Sequence, residues 1–540
     1  MNKVLKGLVA VAATAAMAVA GFAGASTAMA VDGNTVNVTV PGAESNLNGH
    51  AYTAYQILSG TQATSGGALG DAEWGTGIND AAFLKALKAD TTIGEYFTKV
   101  TDAKGFAEAL SNTDNFPADG ANTRLVAKIA MKHTQGAGTA LAAGSSTQLD
   151  KGYYLIVDST TDGQTVYNPA VLAITSDIEI KDKTDVPTLE KKVQENKKDA
   201  TGDTAYGSKF NDVADYNIGD EVPFHLIGSV PDMSQYETYT YKFTDTFDKG
   251  FDAVDTSNVK VYLSNDKKLD LEGESVDTDI TSYFSGTNGS IQYTAATEAQ
   301  GETAGTLTVS TKDLKKAATY SKEQPQYVIV SYTAKLNANA KIGLPGNVNE
   351  AYLTYSNKPD QSGTGDNNTN DTPHDKVIVF TYGLDVTKVD SKNTETKLKD
   401  AEFKLKNSDG KWATITDGKV TGWADTELQG SVLKSDESGK FKVEGLDDGE
   451  YTLKETKAPA GYNLPADGFS VTLTATTANN QAWDGTATKA LTNLAVKVDQ
   501  TDGTGDVTTG LGAITIKNTQ GSSLPSTGGM GTVLLYVAGI

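Results

Sequence analysis

The sequence predicts a mainly β protein built as three tandem β-sandwich domains, the first carrying helical insertions. Three observations predict this. The 540 residues suffice for three or four domains at roughly 150 residues each. Short segments alternate apolar with polar or Thr residues: TVNVTV from Thr35, KVYLS from Lys260, TLTVST from Thr306, YVIVSYTAKL from Tyr327 and AITIKN from Ala513. Gly, Asn and Asp turns separate these segments at the spacing of sandwich strands.

The elements follow in chain order. Residues 1–30 read as a secretory leader. Lys3 and Lys6 precede an apolar, Ala-rich run from Leu8 to Phe22, and Ala28-Met29-Ala30 supplies a small-x-small cleavage site. Residues 31–183 form the first domain, which opens on TVNVTV and closes on GYYLIVDS from Gly152 and AVLAITSDIEI from Ala170. Between them, INDAAFLKALKA from Ile78 sets Phe83, Leu84 and Leu87 on one helical face. Asn122 to His133 repeats the pattern with Leu125, Ile129 and Ala130. Residues 187–382 form the second domain, and the polar stretch from Asn357 to Lys376 reads as a long loop before its last strand. Residues 383–520 form the third domain.

Composition excludes several functions. The 46 Lys plus Arg face 68 Asp plus Glu, a formal net charge of −22. That surplus argues against nucleic acid and against docking on an anionic membrane. Cys is absent, so disulfides, thiol nucleophiles and thiolate metal sites are excluded. The four histidines, His50, His133, His225 and His374, are far apart in sequence, so a His-rich metal cluster is not expected. The acids are scattered, with no aromatic-lined sugar site beside a carboxylate pair, which argues against a glycosidase.

Side-chain parity points to different chemistry. In LDVTKVD, Leu384, Val386 and Lys388 share one face of a strand, because strand side chains alternate. In YTLKETKAPAGY, Tyr451, Leu453 and Glu455 share a face. In ITIKN, Ile514, Ile516 and Asn518 do. A lysine, a glutamate and an asparagine thus fall in register with core residues, where unpaired charge is costly. Burial lowers a lysine pKa and raises a carboxyl pKa. A neutral amine beside a carboxamide can attack its carbonyl carbon, and a protonated carboxyl can polarise that carbonyl and pass a proton to departing ammonia. The product is a Lys–Asn amide formed once inside the protein. Parity alone equally allows a surface position for these residues if register slips by one.

The second domain repeats the pattern. TLEKKV sets Leu189, Lys191 and Val193 on one face, with Lys192 pointing outward. YKFTDTF aligns Tyr241, Phe243, Asp245 and Phe247. NVNEAYLTYSN aligns Asn349, Ala351, Leu353, Tyr355 and Asn357. Asn349 stands nearer the apolar run than its alternative, Asn357. The first domain has no such set, and no crosslink is expected there.

YTLKETKAPAGY from Tyr451 resembles the E-box of Gram-positive pilins, and TKVDSKNTETKLKDAEFKL from Thr387 resembles the opening of a collagen-adhesin B-type (CnaB) domain. YNIGDEVPFHLIGSVPDMSQYETYTYKFTDTFDKGF from Tyr216 resembles the fimbrial isopeptide-forming domain of backbone pilins. The resemblance implies immunoglobulin-like sandwiches. It also implies isopeptide bonds between Lys388 and Asn518, assisted by Glu455, and between Lys191 and Asn349 (alternative Asn357), assisted by Asp245. Leu524-Pro525-Ser526-Thr527-Gly528 matches the LPXTG sorting signal of wall-anchored proteins, so sortase is implied to cleave after Thr527. A truncated hydrophobic segment completes residues 524–540. It is shorter than the roughly 20 apolar residues of a membrane stop, so the native chain is expected to continue beyond residue 540.

Related pilins join subunits through a lysine in a Tyr-Pro-Lys motif, which this chain lacks. By position after the strand IEI, Lys183 takes that role, with Lys181 and Lys192 as alternatives. The resemblance implies a secreted, wall-anchored fimbrial subunit, a sortase substrate rather than an enzyme with turnover. The implied partners are a pilus-specific sortase, identical subunits, other pilins, peptidoglycan and a host or bacterial surface receptor, with no cofactor. A monomeric sortase-anchored adhesin is the alternative. The sequence leaves open the adhesion ligand and the choice between shaft and minor subunit.

Overall fold

The computed structural model describes residues 35–40, 51–62, 69–112, 114–116, 121–142, 144–158, 170–174, 177–179, 186–197, 205–233, 236–271, 277–296, 303–321, 323–357, 369–478 and 483–521. Strands dominate. The expected leader at 1–30, Lys181, Lys183, the sorting residues 524–528 and much of the polar loop after Asn357 lie outside the described residues.

The N-terminal part combines two small sheets with helices. Strand Thr35–Val40 pairs antiparallel with Ser145–Asp150 and parallel with Ile178–Glu179. A second sheet centres on Ala51–Gln62 and Gly152–Asp158. Helices Asp80–Ala89, Gly94–Phe97, Ala103–Leu110 and Ala121–Met131 pack on this sheet through Phe83, Leu87, Phe97, Phe106 and Val126. Side chains of Asn79 and Asp102 cap two of them, accepting from the N–H groups of Ala82 and Gly105 at 3.1 and 2.8 Å. Such caps satisfy N–H groups that have no partner in the first turn. The last helix rotates relative to the sequence reading. Val126, Ala127 and Ala130 are buried, whereas Leu125 and Ile129 are only partly covered. Apolar residues flank both sides of this helix, so periodicity alone does not fix which side faces the core.

The middle part is a sandwich of a six-stranded and a seven-stranded sheet. Strict alternation on Asn347–Ser356 sends every second residue inward, as a strand with one buried face must. Strand Asp375–Phe380 departs from alternation and carries the run VIVF because both its faces are buried. Val377 and Val379 join the middle core, while Ile378 and Phe380 join the C-terminal core.

In the C-terminal part, twelve strands form one continuous sheet that curls until its ends meet. Strand Leu491–Val498 lies against Leu511–Asn518 at the seam. Gly512 permits this approach, since a Cβ there would lie 2.8 Å from the Val496 Cβ. The first strand, Tyr382–Asp390, and the last, Leu511–Asn518, are parallel neighbours, with Lys388 opposite Ile516 and Asp390 opposite Asn518.

Candidate functional sites: two buried lysine, carboxyl and asparagine sets

The C-terminal set sits where three strands converge. Lys388 comes from the first strand, Glu455 from Gly449–Lys457 and Asn518 from the last strand. All three are buried beside Phe403 and Phe469, whose rings lie 5.2 and 5.3 Å from Lys388 Nζ. Nζ donates to Glu455 Oε2 at 2.9 Å and also to Asn518 Oδ1. Asn518 Nδ2 donates to Glu455 Oε1 at 2.8 Å and to the Asn463 carbonyl at 3.2 Å. The carboxyl therefore spans amine and carboxamide. Burial lowers the Lys388 pKa, and Glu455 opposes that shift only in part. A lowered pKa increases the share of free amine, the nucleophilic form.

The middle set has the same logic with different parts. Strand Leu189–Gln194 supplies Lys191, Tyr241–Asp248 supplies Asp245 and Asn347–Ser356 supplies Asn349. Each has a relative exposure of 0%. Lys191 Nζ donates to Asp245 Oδ1 at 2.8 Å and to Tyr332 Oη at 2.9 Å. Asn349 Nδ2 donates to Tyr332 Oη at 3.2 Å and lies 3.5 Å from Asp245 Oδ2, while its Oδ1 has no hydrogen-bond partner. Rings of Phe224, Tyr332 and Phe247 surround the amine at 5.2, 5.6 and 6.0 Å. Desolvation lowers the Lys191 pKa and raises that of Asp245, against the attraction between them. Both directions favour the neutral amine and the neutral acid.

The structure brings Lys388, Glu455 and Asn518 together, and likewise Lys191, Asp245 and Asn349. Asn357 is placed elsewhere. It lies past the end of its strand, beyond the Tyr355–Tyr241 pair, whereas Asn349 stands next to the Ala351–Asp245 region.

Lys192 corrects the sequence reading. It was expected to point outward, yet its side chain is 7% exposed and its Nζ lies 2.5 Å from Asp212 Oδ1, with the Tyr206 ring 4.5 Å away. Asp212 continues the strand Phe210–Asn211 that pairs with Leu189–Gln194 and so stands beside Lys192, and the Tyr206 ring covers the amine, while Glu190 and Gln194 on the same side stay partly exposed. The burial and pairing of this amine weigh against Lys192 as the linking residue.

Two features escaped sequence reasoning. Tyr332 contacts every member of the middle set. Its inward parity with Val328 and Val330 was legible, but a core tyrosine gives no signal of its own. The second is an acidic cluster between the middle and C-terminal parts, where carboxyl oxygens of Asp215, Asp447 and Asp448 lie within 4.8 Å of one another. Each accepts protein hydrogen bonds: Asp215 from Tyr382 Oη at 2.9 Å, Asp447 from Asn196 at 2.8 Å and Asp448 from Lys197 at 2.6 Å.

Comparison with known proteins agrees with this architecture. Residues 383–487 match the family model of the SpaA prealbumin-like fold domain. Over 263 residues the chain is 28% identical to the trypsin-resistant surface T6 protein of Streptococcus pyogenes serotype M6. The match covers 39% of this chain and 45% of that relative, so the chain spans about half the relative's length. Among solved structures, the T6 backbone pilin of the same serotype, a modular three-domain structure, aligns over 92% of this chain and 100% of its own. The TM-score is 0.51 at 16% identity, a likeness of fold. The full-length major pilin SpaD from Corynebacterium diphtheriae aligns over 90% of this chain and 97% of its own, with a TM-score of 0.45 and 15% identity.

Proposed function

We propose that this chain is a structural subunit of a covalently polymerised pilus on a Gram-positive cell surface. The observation that carries the proposal is the pair of buried lysine, acid and asparagine sets in successive sandwiches. Buried ions that gain only each other are weak sources of stability. Two such sets, each with a carboxamide beside the amine, are better explained by a reaction between them.

In that reaction the Lys388 amine attacks Asn518 Cγ, and Lys191 attacks Asn349 Cγ. An amide forms, the Cγ–Nδ2 bond breaks and ammonia leaves. Glu455 or Asp245 carries the proton from amine to leaving group and is regenerated. Each site reacts once, so this is maturation rather than enzymatic turnover.

The proposed polymerisation uses the ends of the chain. Sortase cleaves Thr527–Gly528 and joins the Thr527 carbonyl to Lys183 of the next subunit, with Lys181 as the alternative. Transfer to peptidoglycan fixes the fibre base, and the fibre presents adhesive contacts to host or bacterial cells. The resemblance of the sequence to pilin domains and the fold likeness to a backbone pilin support this reading.

The test is extraction of cells with muramidase and electrophoresis under denaturing conditions. A high-mass ladder that Lys183→Ala abolishes and Lys192→Ala leaves intact is expected. A single band at the monomer mass overturns the polymer and leaves a monomeric wall-anchored adhesin. A ladder that survives Lys183→Ala transfers the linking role to Lys181.

A further inference from the structure

The two sites differ in the reach of their acids. Glu455 bridges its site alone, one oxygen 2.9 Å from the amine and the other 2.8 Å from the carboxamide nitrogen. Asp245 is one methylene shorter. Its Oδ1 meets the amine at 2.8 Å, but its Oδ2 stands 3.5 Å from Asn349 Nδ2, beyond the range of a strong hydrogen bond. Tyr332 occupies that gap. Its hydroxyl accepts from Lys191 Nζ at 2.9 Å and from Asn349 Nδ2 at 3.2 Å, and it donates to Asp245 Oδ2.

We propose that Tyr332 is a catalytic residue of the middle-domain crosslinking reaction, carrying a proton between Lys191 and the departing nitrogen of Asn349. The proposal rests on the reading that Lys191 and Asn349 condense. Aspartate and tyrosine together do what glutamate does alone at the other site. Lys191 enters as the free amine and Asp245 as the acid. The Nζ–Cγ bond forms while the Cγ–Nδ2 bond breaks. The proton shed by Lys191 passes to the joined Asp245 and Tyr332 oxygens, and the Tyr332 hydroxyl delivers its proton to Nδ2, which leaves as ammonia. Both residues end as they began, and no co-reactant is consumed.

The surroundings hold the hydroxyl in place. Tyr332 lies opposite Phe224 in the neighbouring strand. Their rings stack with centroids 5.5 Å apart, and the Phe247 ring meets Tyr332 edge-on at 5.9 Å. Burial raises the Tyr332 pKa well above its usual value. The group therefore stays protonated and able to donate.

The test follows the mature full-length chain by intact mass at intervals after a pulse of synthesis, with the branched peptides then identified. The wild type should lose two ammonias. Tyr332→Phe keeps the ring and removes the hydroxyl. It should still lose the ammonia from the C-terminal site, while the middle site slows on the order of a hundredfold, the usual scale for a lost proton carrier. Adding Asp245→Glu to Tyr332→Phe supplies a carboxyl long enough to span the site and should restore most of the rate. A Tyr332→Phe chain that condenses at the wild-type rate overturns the proposal. So does a slow single variant that the longer acid fails to rescue, since the tyrosine then only supports the fold. A wild type lacking the Lys191–Asn349 branched peptide instead overturns the underlying crosslink.

Discussion

Replacing Glu455 with alanine isolates the contribution of the proposed C-terminal crosslink. Lys388 and Asn518 are 130 residues apart in sequence, and the chain-entropy relation assigns about 5 kcal/mol to a crosslink closing a loop of that length. Globular domains of this size have an unfolding entropy of about 0.3 kcal/mol/K, so losing 5 kcal/mol lowers the melting temperature by about 17 °C. A second penalty adds to the first. Lys388, at 0% exposure, stays an unreacted amine with no acid beside it, and an uncompensated buried charge costs about 3–5 kcal/mol. The assays are intact mass and differential scanning calorimetry of the mature chain. Allowing for the side-chain change, the variant should retain one ammonia more than the wild type, and its C-terminal transition should fall by at least about 15 °C. A variant that has still lost both ammonias refutes the role of Glu455. A wild type that retains both refutes the crosslinks themselves.

Two further predictions concern the junction between the middle and C-terminal parts. Burial raises the carboxyl pKa values of Glu195, Asp215 and Asp447, and neighbouring acids add to the rise. Lys197, Asn196, Asn217, Asp220, Asp448 and the hydroxyls of Tyr216, Tyr382 and Tyr451 face or adjoin this cluster. The folded junction holds protons that the unfolded chain releases, so its stability falls as pH rises. The contribution is present below the ordinary carboxylate range near about 4 and is lost as pH passes the raised values. Melting curves between mildly acidic and mildly alkaline pH should show this slope, and Asp447→Asn should flatten it; an unchanged slope sinks the assignment. Ile378→Ala, in a strand of the middle sheet, should cost about 2–5 kcal/mol and lower the C-terminal transition. A loss confined to the middle transition would contradict its place in the C-terminal core.

Much of the candidate sites was legible because charged and amide groups are conspicuous at core parity. Lys388, Glu455 and Asn518 each fall in step with Leu, Val or Ile, and the structure seats them side by side. The same rule misplaced Lys192, since parity assigns a face but does not say whether that face is covered. Tyr332 was invisible for the opposite reason, because an inward tyrosine is ordinary and its role depends on three strands distant in sequence. The acidic junction was hidden likewise: Glu195, Asp215 and Asp447 come from separate segments, and their proximity arises from packing. VIVF at Val377 carried a readable sign in its loss of alternation, although its two faces serving two cores required the structure.

The parallel pairing of Tyr382–Asp390 with Leu511–Asn518 determines how the C-terminal part would respond to tension. Parallel first and last strands place the entry and exit of the chain at opposite ends, so a pull along the proposed polymer would act along both strands. With the amide in place, force entering near Gly383 reaches Lys388, crosses to Asn518 and leaves within a few residues. The 130-residue separation between the two anchors, roughly 450 Å of fully extended chain, is bypassed and bears no load. Thermal opening of the intervening strands would then leave the length of the fibre almost unchanged.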